Sequence, residues 1–177
     1  MLIAAVLAAL FLAIERVSYV LVWRYPERFR AWVQAGEAAS RSDPVDALKR
    51  LFLLFKLIQI GVFAAWIIGF SGPFPPLPTA APPWLLLGAV LIIVGQVLNF
   101  GVFWRLGKVG VFYGNKLGHE VPWVKGFPFS LVPHPQYVGT LMSIWGLFLT
   151  MRFPHPDWII LPLISTLYYL LAMRLER

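Results

Sequence analysis

Side chains able to hold or move a proton are concentrated in one stretch of the chain, residues 105–139. It contains His119 next to Glu120, and His134 enclosed by two prolines that restrict the backbone on either side. A histidine close to a carboxylate is a common pair for general acid–base chemistry. The plain alternative is structural, because a lone histidine belongs to a packed core more often than to a catalytic site.

Glycines accompany these groups. Gly107, Gly110, Gly114 and Gly118 follow one another at spacings of three, four and four residues, which on a helix places them on one side. Such a side packs closely against another helix, or it lines a groove in which a cofactor lies against the backbone. The sequence leaves both interpretations open.

The composition indicates that helices in a membrane position these residues. Of the 177 residues, 59% are hydrophobic and only 13% are charged, whereas soluble domains have about 45–50% apolar and about 25% charged residues. The mean hydropathy is +0.74. The absence of cysteine excludes a disulfide scaffold, a thiolate metal site and a cysteine nucleophile, and no His–Glu spacing predicts a metal site.

Apolar runs of helical length predict an all-α bundle of four to five transmembrane helices. The first run contains the adjacent Glu15 and Arg16, most simply an internal ion pair, and it lacks the basic start of a cleaved signal peptide. The last two runs have sixteen or seventeen residues, short of the ~20 that a bilayer core requires. The five runs cover residues 2–22, 51–70, 84–104, 137–153 and 158–173.

Basic residues predict the orientation. Segments 23–50 and 105–136 and the C-terminus carry most of the Lys and Arg, whereas segments 71–83 and 154–157 carry none. The basic segments are therefore expected in the cytoplasm, at a bacterial inner membrane or the endoplasmic reticulum. The net charge of +7 is assigned to this membrane face and not to nucleic acid. The lipid bilayer is the expected partner, and the oligomeric state is left open.

The run FPFSLVPHPQYVG, residues 127–139, resembles FPFN-x-x-x-NP-x-Y-x-G, a signature of phosphatidylethanolamine N-methyltransferases. His134 replaces the usual Asn, and it resembles the RHP-x-Y-x-G signature of the related isoprenylcysteine carboxyl methyltransferases. Upstream, the family's LG-x-x-G-x-F-x-G-x-x-x-G is matched by Leu106, Gly107, Gly110, Phe112, Gly114 and Gly118. Downstream, its Y-x-x-A-x-x-x-E is matched by Tyr169, Ala172 and Glu176. The resemblance runs from about Gly95 to the C-terminus, roughly half of the chain.

This resemblance implies a single membrane domain over residues 1–177, without a soluble Rossmann domain. Residues 1–70 would form N-terminal helices, and residues 84–177 would form the methyltransferase core. It also implies S-adenosylmethionine as methyl donor and S-adenosylhomocysteine as product. The expected donor-binding residues are Gly95, His134, Pro135, Tyr137, Gly139 and Glu176. The chain departs from the family at Ile93, where a G-x-G has its first glycine, and at Arg177, where a second glutamate stands.

The implied reaction is N-methylation of phosphatidylethanolamine, or of its mono- and dimethyl forms, towards phosphatidylcholine. Glu120, His134 and Tyr137 are the expected catalytic residues, without an assignment of the base among them. The membrane phospholipid is expected to bind at Arg105, Lys108 and His119. Three other functions stay open: a carboxyl methyltransferase for a prenylated or other lipophilic acid, an NADPH-dependent enzyme of the sterol-reductase type, and a non-enzymatic membrane packing protein.

Overall fold

The computed structural model describes residues 1–36, 43–71, 76–122 and 124–176. Within these residues the chain is all-helical, as predicted. The helices are α1 Leu2–Arg24, α2 Pro26–Ala35, α3 Pro44–Ser71, α4 Pro82–Val111, α5 Pro135–Met151 and α6 Ile160–Leu175.

In the part of the chain that the structure describes, α1, α3 and α4 are long and apolar enough to cross a membrane. Helices α5 and α6 have 17 and 16 residues, as short as predicted, which at 1.5 Å per residue gives roughly 25 Å each. The structure therefore confirms a bundle of membrane helices, three of which reach the length of a full crossing.

The basic segment after α1 contains more helix than predicted. Its α2 mixes charged and apolar residues, so it does not stand out as an apolar run. Helix α3 begins at Pro44, well before the apolar run at residue 51. Asp43 explains this start, because its Oδ1 accepts the backbone N–H of Val45 at 2.9 Å and so caps the helix.

Helices α1, α3, α4, α5 and α6 run in alternating directions, so the segments between them gather at two ends of the bundle. The basic end comprises residues 24–36, 43–46, 105–122, 124–134 and Glu176. There, Arg24 Nε donates to the carbonyl of Leu175 at 3.1 Å and joins the ends of α1 and α6. Lys108 Nζ lies 2.8 Å from Asp46 Oδ1 and joins α4 to the start of α3.

The opposite end, here the proline end, comprises residues 76–81 and 152–159. A buried ion pair fastens it: Arg152 Nη2 lies 2.6 Å from Asp157 Oδ1. Trp66 Nε1 donates to the same carboxylate at 3.0 Å, and Arg152 Nη1 donates to the Phe70 carbonyl at 2.8 Å. Although burial acts in the opposite direction, Arg152 and Trp66 hold the pKa of Asp157 below its usual value. The pair thereby ties the end of α3 to the loop between α5 and α6.

Helices α4 and α5 approach closely through glycines. A Cβ on Gly139 would lie 2.5 Å from the Gly95 carbonyl, and one on Gly146 would lie 2.5 Å from that of Gly88. Small residues at these positions let the two backbones touch.

The prediction that Gly107, Gly110, Gly114 and Gly118 share one side of a helix is wrong. Helix α4 has a non-helical Gly107 at φ 61 and ends at Val111, so Gly110 alone of the four has an ordinary helical setting. Gly114 and Gly118 lie in turns after the helix. Glycine permits the left-handed φ at Gly107, and that φ breaks the regular helix.

Candidate functional site

The bundle encloses a cavity of about 470 Å³ towards the basic end. Helices α1, α3, α4, α5 and α6 all contribute side chains to its wall. Its apolar part is formed largely by phenylalanines, and its polar part by charged, amide, hydroxyl and phenol groups. The polar lining residues are Glu15, Arg16, Tyr19, Lys56, Gln59, Gln96, Asn99, Tyr113, Gln136, Tyr137, Thr140, Ser143 and Tyr169.

The cavity opens sideways, between α3 and α4. Ile60 on α3 and Phe100 on α4 line the cavity, yet they are 61% and 70% exposed at the outer surface of the bundle. In a membrane this outer surface faces acyl chains. The opening of the cavity is therefore bordered by apolar side chains on the membrane-facing surface of the bundle.

A carboxylate and a group of aromatic rings meet beside the cavity at the basic end. The Tyr137 hydroxyl donates to Glu176 Oε2 at 2.5 Å, and the Tyr113 hydroxyl lies 3.4 Å from that of Tyr137. The His134 ring stacks on the Tyr137 ring, with centroids 6.0 Å apart. His134 and Tyr137, neighbours at the start of α5, are thus brought together with Glu176, which lies 39 residues further along the chain.

Local structure explains how α5 presents this group. His134 is the residue before the helix, and Pro135 occupies the first turn, where a proline needs no hydrogen-bond partner for its nitrogen. Tyr137 follows in the same turn and faces the cavity. Glu176 caps the end of α6, its backbone N–H donating to the Ala172 carbonyl at 3.0 Å.

Tyr113 joins this group at some conformational cost. Its φ is 55, a left-handed value that non-glycine residues rarely adopt and that often marks a functional position. Edge-to-face contacts with Tyr19 and Trp23, at 5.7 and 5.3 Å, hold its ring in place. Burial raises the pKa of Tyr113 well above its usual value, so its hydroxyl keeps its proton at neutral pH. No sequence pattern indicated this residue, because its importance arises only from the turn.

The Glu176 carboxyl group combines burial with an acceptor atom that has no partner among the described residues. Burial raises the pKa of its carboxyl group, while the hydroxyls of Tyr137 and Tyr113 and the Arg16 guanidinium act in the opposite direction. Its Oε1 is buried and has no hydrogen-bond partner among the described residues. A carboxylate oxygen in that state accepts a hydrogen bond from an ammonium group. The α-amino group of S-adenosylmethionine fits this requirement.

A second charged group lies deeper in the cavity, formed by Glu15, Arg16 and Lys56. Arg16 pairs with Glu15, which confirms the predicted internal ion pair, and Lys56 Nζ lies 2.9 Å from Glu15 Oε1. The Arg16 guanidinium lies over the Tyr169 ring, 4.1 Å from its centroid. Sequence reasoning did not place these residues at the site, although charges inside apolar helices were the available signal.

Other residues expected at the site lie elsewhere. Glu120 is exposed on the turn after α4 and does not line the cavity. Gly95 and Gly139 are occupied by the contact between α4 and α5. Their geometry supports helix packing, and a role of theirs in donor binding stays a prediction.

The three residues expected to bind phospholipid surround the basic end and already have protein partners. Arg105 Nε donates to the Phe127 carbonyl at 3.0 Å, and Lys108 pairs with Asp46. His119 Nε2 lies 3.1 Å from Asp43 Oδ1. Partial burial acts to raise the pKa of Asp43, but the Val45 N–H and the His119 ring lower it. Lipid binding at these residues likewise stays a prediction.

Comparison with known proteins identifies relatives of this chain. A family model described as phospholipid methyltransferase matches residues 84–177. The chain is 34% identical over 116 residues to a phosphatidyl-N-methylethanolamine N-methyltransferase of Arabidopsis thaliana, covering 65% of this chain and 62% of that protein. It is 31% identical over 94 residues to the Saccharomyces cerevisiae protein of that name, covering 52% of this chain and 45% of the relative.

A third relative of that name, from Emericella nidulans, is 35% identical over 63 residues, covering 34% of this chain and 31% of that protein. The chain thus spans between 31% and 62% of the length of these curated relatives. No solved structure matches the chain. The family match covers the helices that build the Tyr137–Glu176 group and one side of the cavity, and on this basis the chain belongs to the phospholipid methyltransferase family.

Proposed function

We propose that this chain transfers a methyl group from S-adenosylmethionine to the amine headgroup of a membrane phospholipid. The names of the three relatives favour phosphatidyl-N-methylethanolamine as the acceptor, among the unmethylated and partly methylated forms that the sequence suggests. The observation that carries the proposal is the Tyr137–Glu176 pair, since it borders a cavity that opens towards lipid in a member of this family.

Glu176 is the proposed anchor of the donor. Its free Oε1 would accept the α-amino group, while Tyr137, bonded to Oε2, keeps the carboxylate in place. His134 and Pro135 form the corner of the chain beside this pair. When bound, the donor supplies a sulfonium methyl that is attacked by a nucleophile and leaves a neutral thioether behind.

The acceptor ammonium must lose one proton before its nitrogen lone pair can form the new N–C bond as the S–C bond breaks. We assign this proton to His134, because an imidazole nitrogen can accept a proton and this ring is half-buried against Tyr137, which lines the cavity. Glu120 is a weaker candidate for the base, because it is exposed and does not line the cavity. Wall residues from five helices hold the reactants in register, and good alignment alone supplies effective molarities of about 10⁵ M or more.

The basic end is the proposed cytoplasmic face. It gathers the predicted basic loops, which the positive-inside rule assigns to the cytoplasm. The water-soluble donor would then enter from the cytoplasm, while the lipid arrives sideways between α3 and α4. Arg105, Lys108 and His119 would meet headgroups at this face.

The test is methyl transfer by purified protein from radiolabelled S-adenosylmethionine to mixed micelles. Separate reactions contain phosphatidylethanolamine and its mono- and dimethyl derivatives. We expect label in N–CH3 bonds, from which base releases no methanol even though it hydrolyses the acyl esters of the lipid. Transfer should be fastest to the monomethyl acceptor. Base-labile methyl esters alone would instead indicate a carboxyl methyltransferase.

Thermal stabilisation separates the two remaining alternatives. Stabilisation by NADPH, without stabilisation by S-adenosylhomocysteine, would favour a reductase. Binding of neither compound, with no effect of Glu176→Ala, would favour a packing protein. The proposed function requires stabilisation by S-adenosylhomocysteine.

A further inference from the structure

The proposed methyl transfer assigns no individual role to the cluster of Glu15, Arg16 and Lys56, although all three line the cavity. Arg16 lies about two helical turns before the end of α1, so the cluster lies at membrane depth and not at the surface. Charged groups there are unfavourable unless they are paired or bind something. Glu15 contacts both cations, which leaves the cluster with one positive charge in excess.

Three unused hydrogen-bond donors surround this excess charge. Arg16 Nε and the hydroxyls of Tyr19 and Tyr169 are buried without a hydrogen-bond partner in the described part of the chain. The three residues are only 8%, 6% and 2% exposed, respectively, and all of them line the cavity. Buried polar groups are nearly always paired, so these donors together require an acceptor. A cation with several donors suits an oxyanion of single negative charge.

We propose that Arg16, Tyr19 and Tyr169 bind the phosphodiester group of the acceptor lipid, with Lys56 supplying further positive charge. This inference rests on the proposed function and adds a lipid headgroup site to it. The apolar opening favours a lipid phosphodiester over a free phosphate. Ile60 and Phe100 expose hydrophobic surface there, where acyl chains would continue out of the cavity.

The placement of the site relative to Glu176 agrees with the chemistry. Arg16 Cζ lies 5.6 Å from the centroid of the Tyr137 ring, and the hydroxyl of that same ring contacts Glu176. A phosphodiester held at Arg16 therefore leaves the amine of the same headgroup close to Tyr137 and the donor anchor. The subsite would fix the distance between the lipid amine and the sulfonium methyl.

Binding measurements with purified protein test this subsite without requiring turnover. The probes are dihexanoyl phosphatidyl-N-methylethanolamine and S-adenosylhomocysteine, titrated separately by calorimetry. We expect Arg16→Met, Tyr19→Phe and Tyr169→Phe to weaken lipid binding, by about ten- to a hundredfold for Arg16→Met, as for a lost charged hydrogen bond. Affinity for S-adenosylhomocysteine should stay the same in the two tyrosine variants. Arg16→Met is judged on lipid binding, because Arg16 also lowers the pKa of Glu176. Arg28→Met, on the exposed face of α2, is the matched control.

The tyrosine variants keep the test decisive if Arg16→Met does not fold. Each removes only a buried hydroxyl without a partner, so the ligand-free protein should have an unchanged or higher Tm while it binds lipid more weakly. A purely structural hydroxyl would leave lipid affinity unchanged. Arg16→Lys, which keeps the charge, should retain more affinity than Arg16→Met.

Two outcomes would overturn the subsite. The first is unchanged lipid affinity in all three variants. The second is unchanged lipid affinity with loss of S-adenosylhomocysteine affinity in the tyrosine variants, which would indicate that the cluster binds the carboxylate of the donor. Failure of the proposed function looks different. Lipid binding that depends on Arg16 without any methyl transfer would retain the subsite and reject the reaction. Methyl transfer with an unchanged lipid KM in Arg16→Met would reject only the subsite.

Discussion

Glu176 combines two opposing influences on one carboxyl group. Burial raises its pKa, and the hydroxyl of Tyr137 bonded to its Oε2 lowers it. The balance leaves the pKa above its usual value, so the carboxylate gains a proton at a higher pH than an exposed glutamate does. Anything that binds to its charged form is therefore lost earlier on acidification.

This argument predicts the pH dependence of donor binding. An ammonium group binds the ionised carboxylate, so affinity for S-adenosylhomocysteine should be full above the pKa of Glu176. It should fall as pH decreases through that pKa, at a pH above the usual glutamate value of about 4.3. Calorimetric titration between pH 5 and 8 measures the profile. Glu176→Gln should bind about ten- to a hundredfold more weakly at pH 7.5, and its profile should be flat.

The matched control for Glu176→Gln is Glu27→Gln, at an exposed position of α2. Its profile should follow the wild type. An identical acidic loss of affinity in Glu176→Gln would show that another group titrates. Tyr137→Phe adds a second check, because removal of a hydroxyl that lowers the pKa should move the midpoint to higher pH.

Helices α4 and α5 form the closest contact of the bundle, and both lie in the region that the family model matches. Gly95 opposes Gly139, and Gly88 opposes Gly146, with no room for a side chain between the backbones. The contact sets the direction in which α5 leaves His134, and hence the position of Tyr137 in the cavity. The packing of one helix pair thus positions a residue of the candidate site.

Alanine substitutions at glycines should separate this contact from general helix effects. Gly95→Ala would place a Cβ against the Gly139 carbonyl and Ser143, and overpacking of this kind costs about 1–3 kcal/mol. We expect a clearly lower Tm in detergent micelles. Gly61→Ala is the control, since nothing lies within 4 Å of its added Cβ and alanine favours helix. Equal Tm values for the two variants would contradict the packing role of Gly95.

The bundle as a whole separates a polar, basic end from a proline end. The Lys108–Asp46 ion pair and the hydrogen bond between His119 and Asp43 fasten the first. The buried Arg152–Asp157 pair fastens the second. The cavity lies towards the basic end, so the orientation in the membrane decides which compartment it is nearer to.

Single cysteines can report this orientation, because the natural chain has none. Ser130→Cys lies at the basic end and His155→Cys at the proline end, and both positions are exposed. In intact bacterial host cells, a membrane-impermeant maleimide should label His155→Cys and should label Ser130→Cys only after lysis. The reverse pattern would place the cavity on the outer side and contradict the positive-inside assignment.

Much of the fold could be predicted because the membrane restricts the choice. In lipid every backbone polar group needs an internal partner, so long apolar runs had to become helices, and α1, α3 and α4 followed. The extra helix α2 and the early start of α3 depend on an amphipathic segment and on the Asp43 cap, which hydropathy does not report. The prediction of four glycines on one helix side failed because the backbone at Gly107 has a non-helical conformation.

The candidate site divides in the same way. Composition and periodicity establish a helical membrane protein, and motif spacing singles out His134, Tyr137 and Glu176, because these depend on local order along the chain. Which of the expected residues meet depends on how separate helices pack. The packing of the helices leaves Glu120 exposed and places Gly95 inside a helix contact. It also brings Arg16, Tyr19 and Tyr113 into the cavity wall. These distances join residues far apart in sequence, and they arise only when the helices close around a common space.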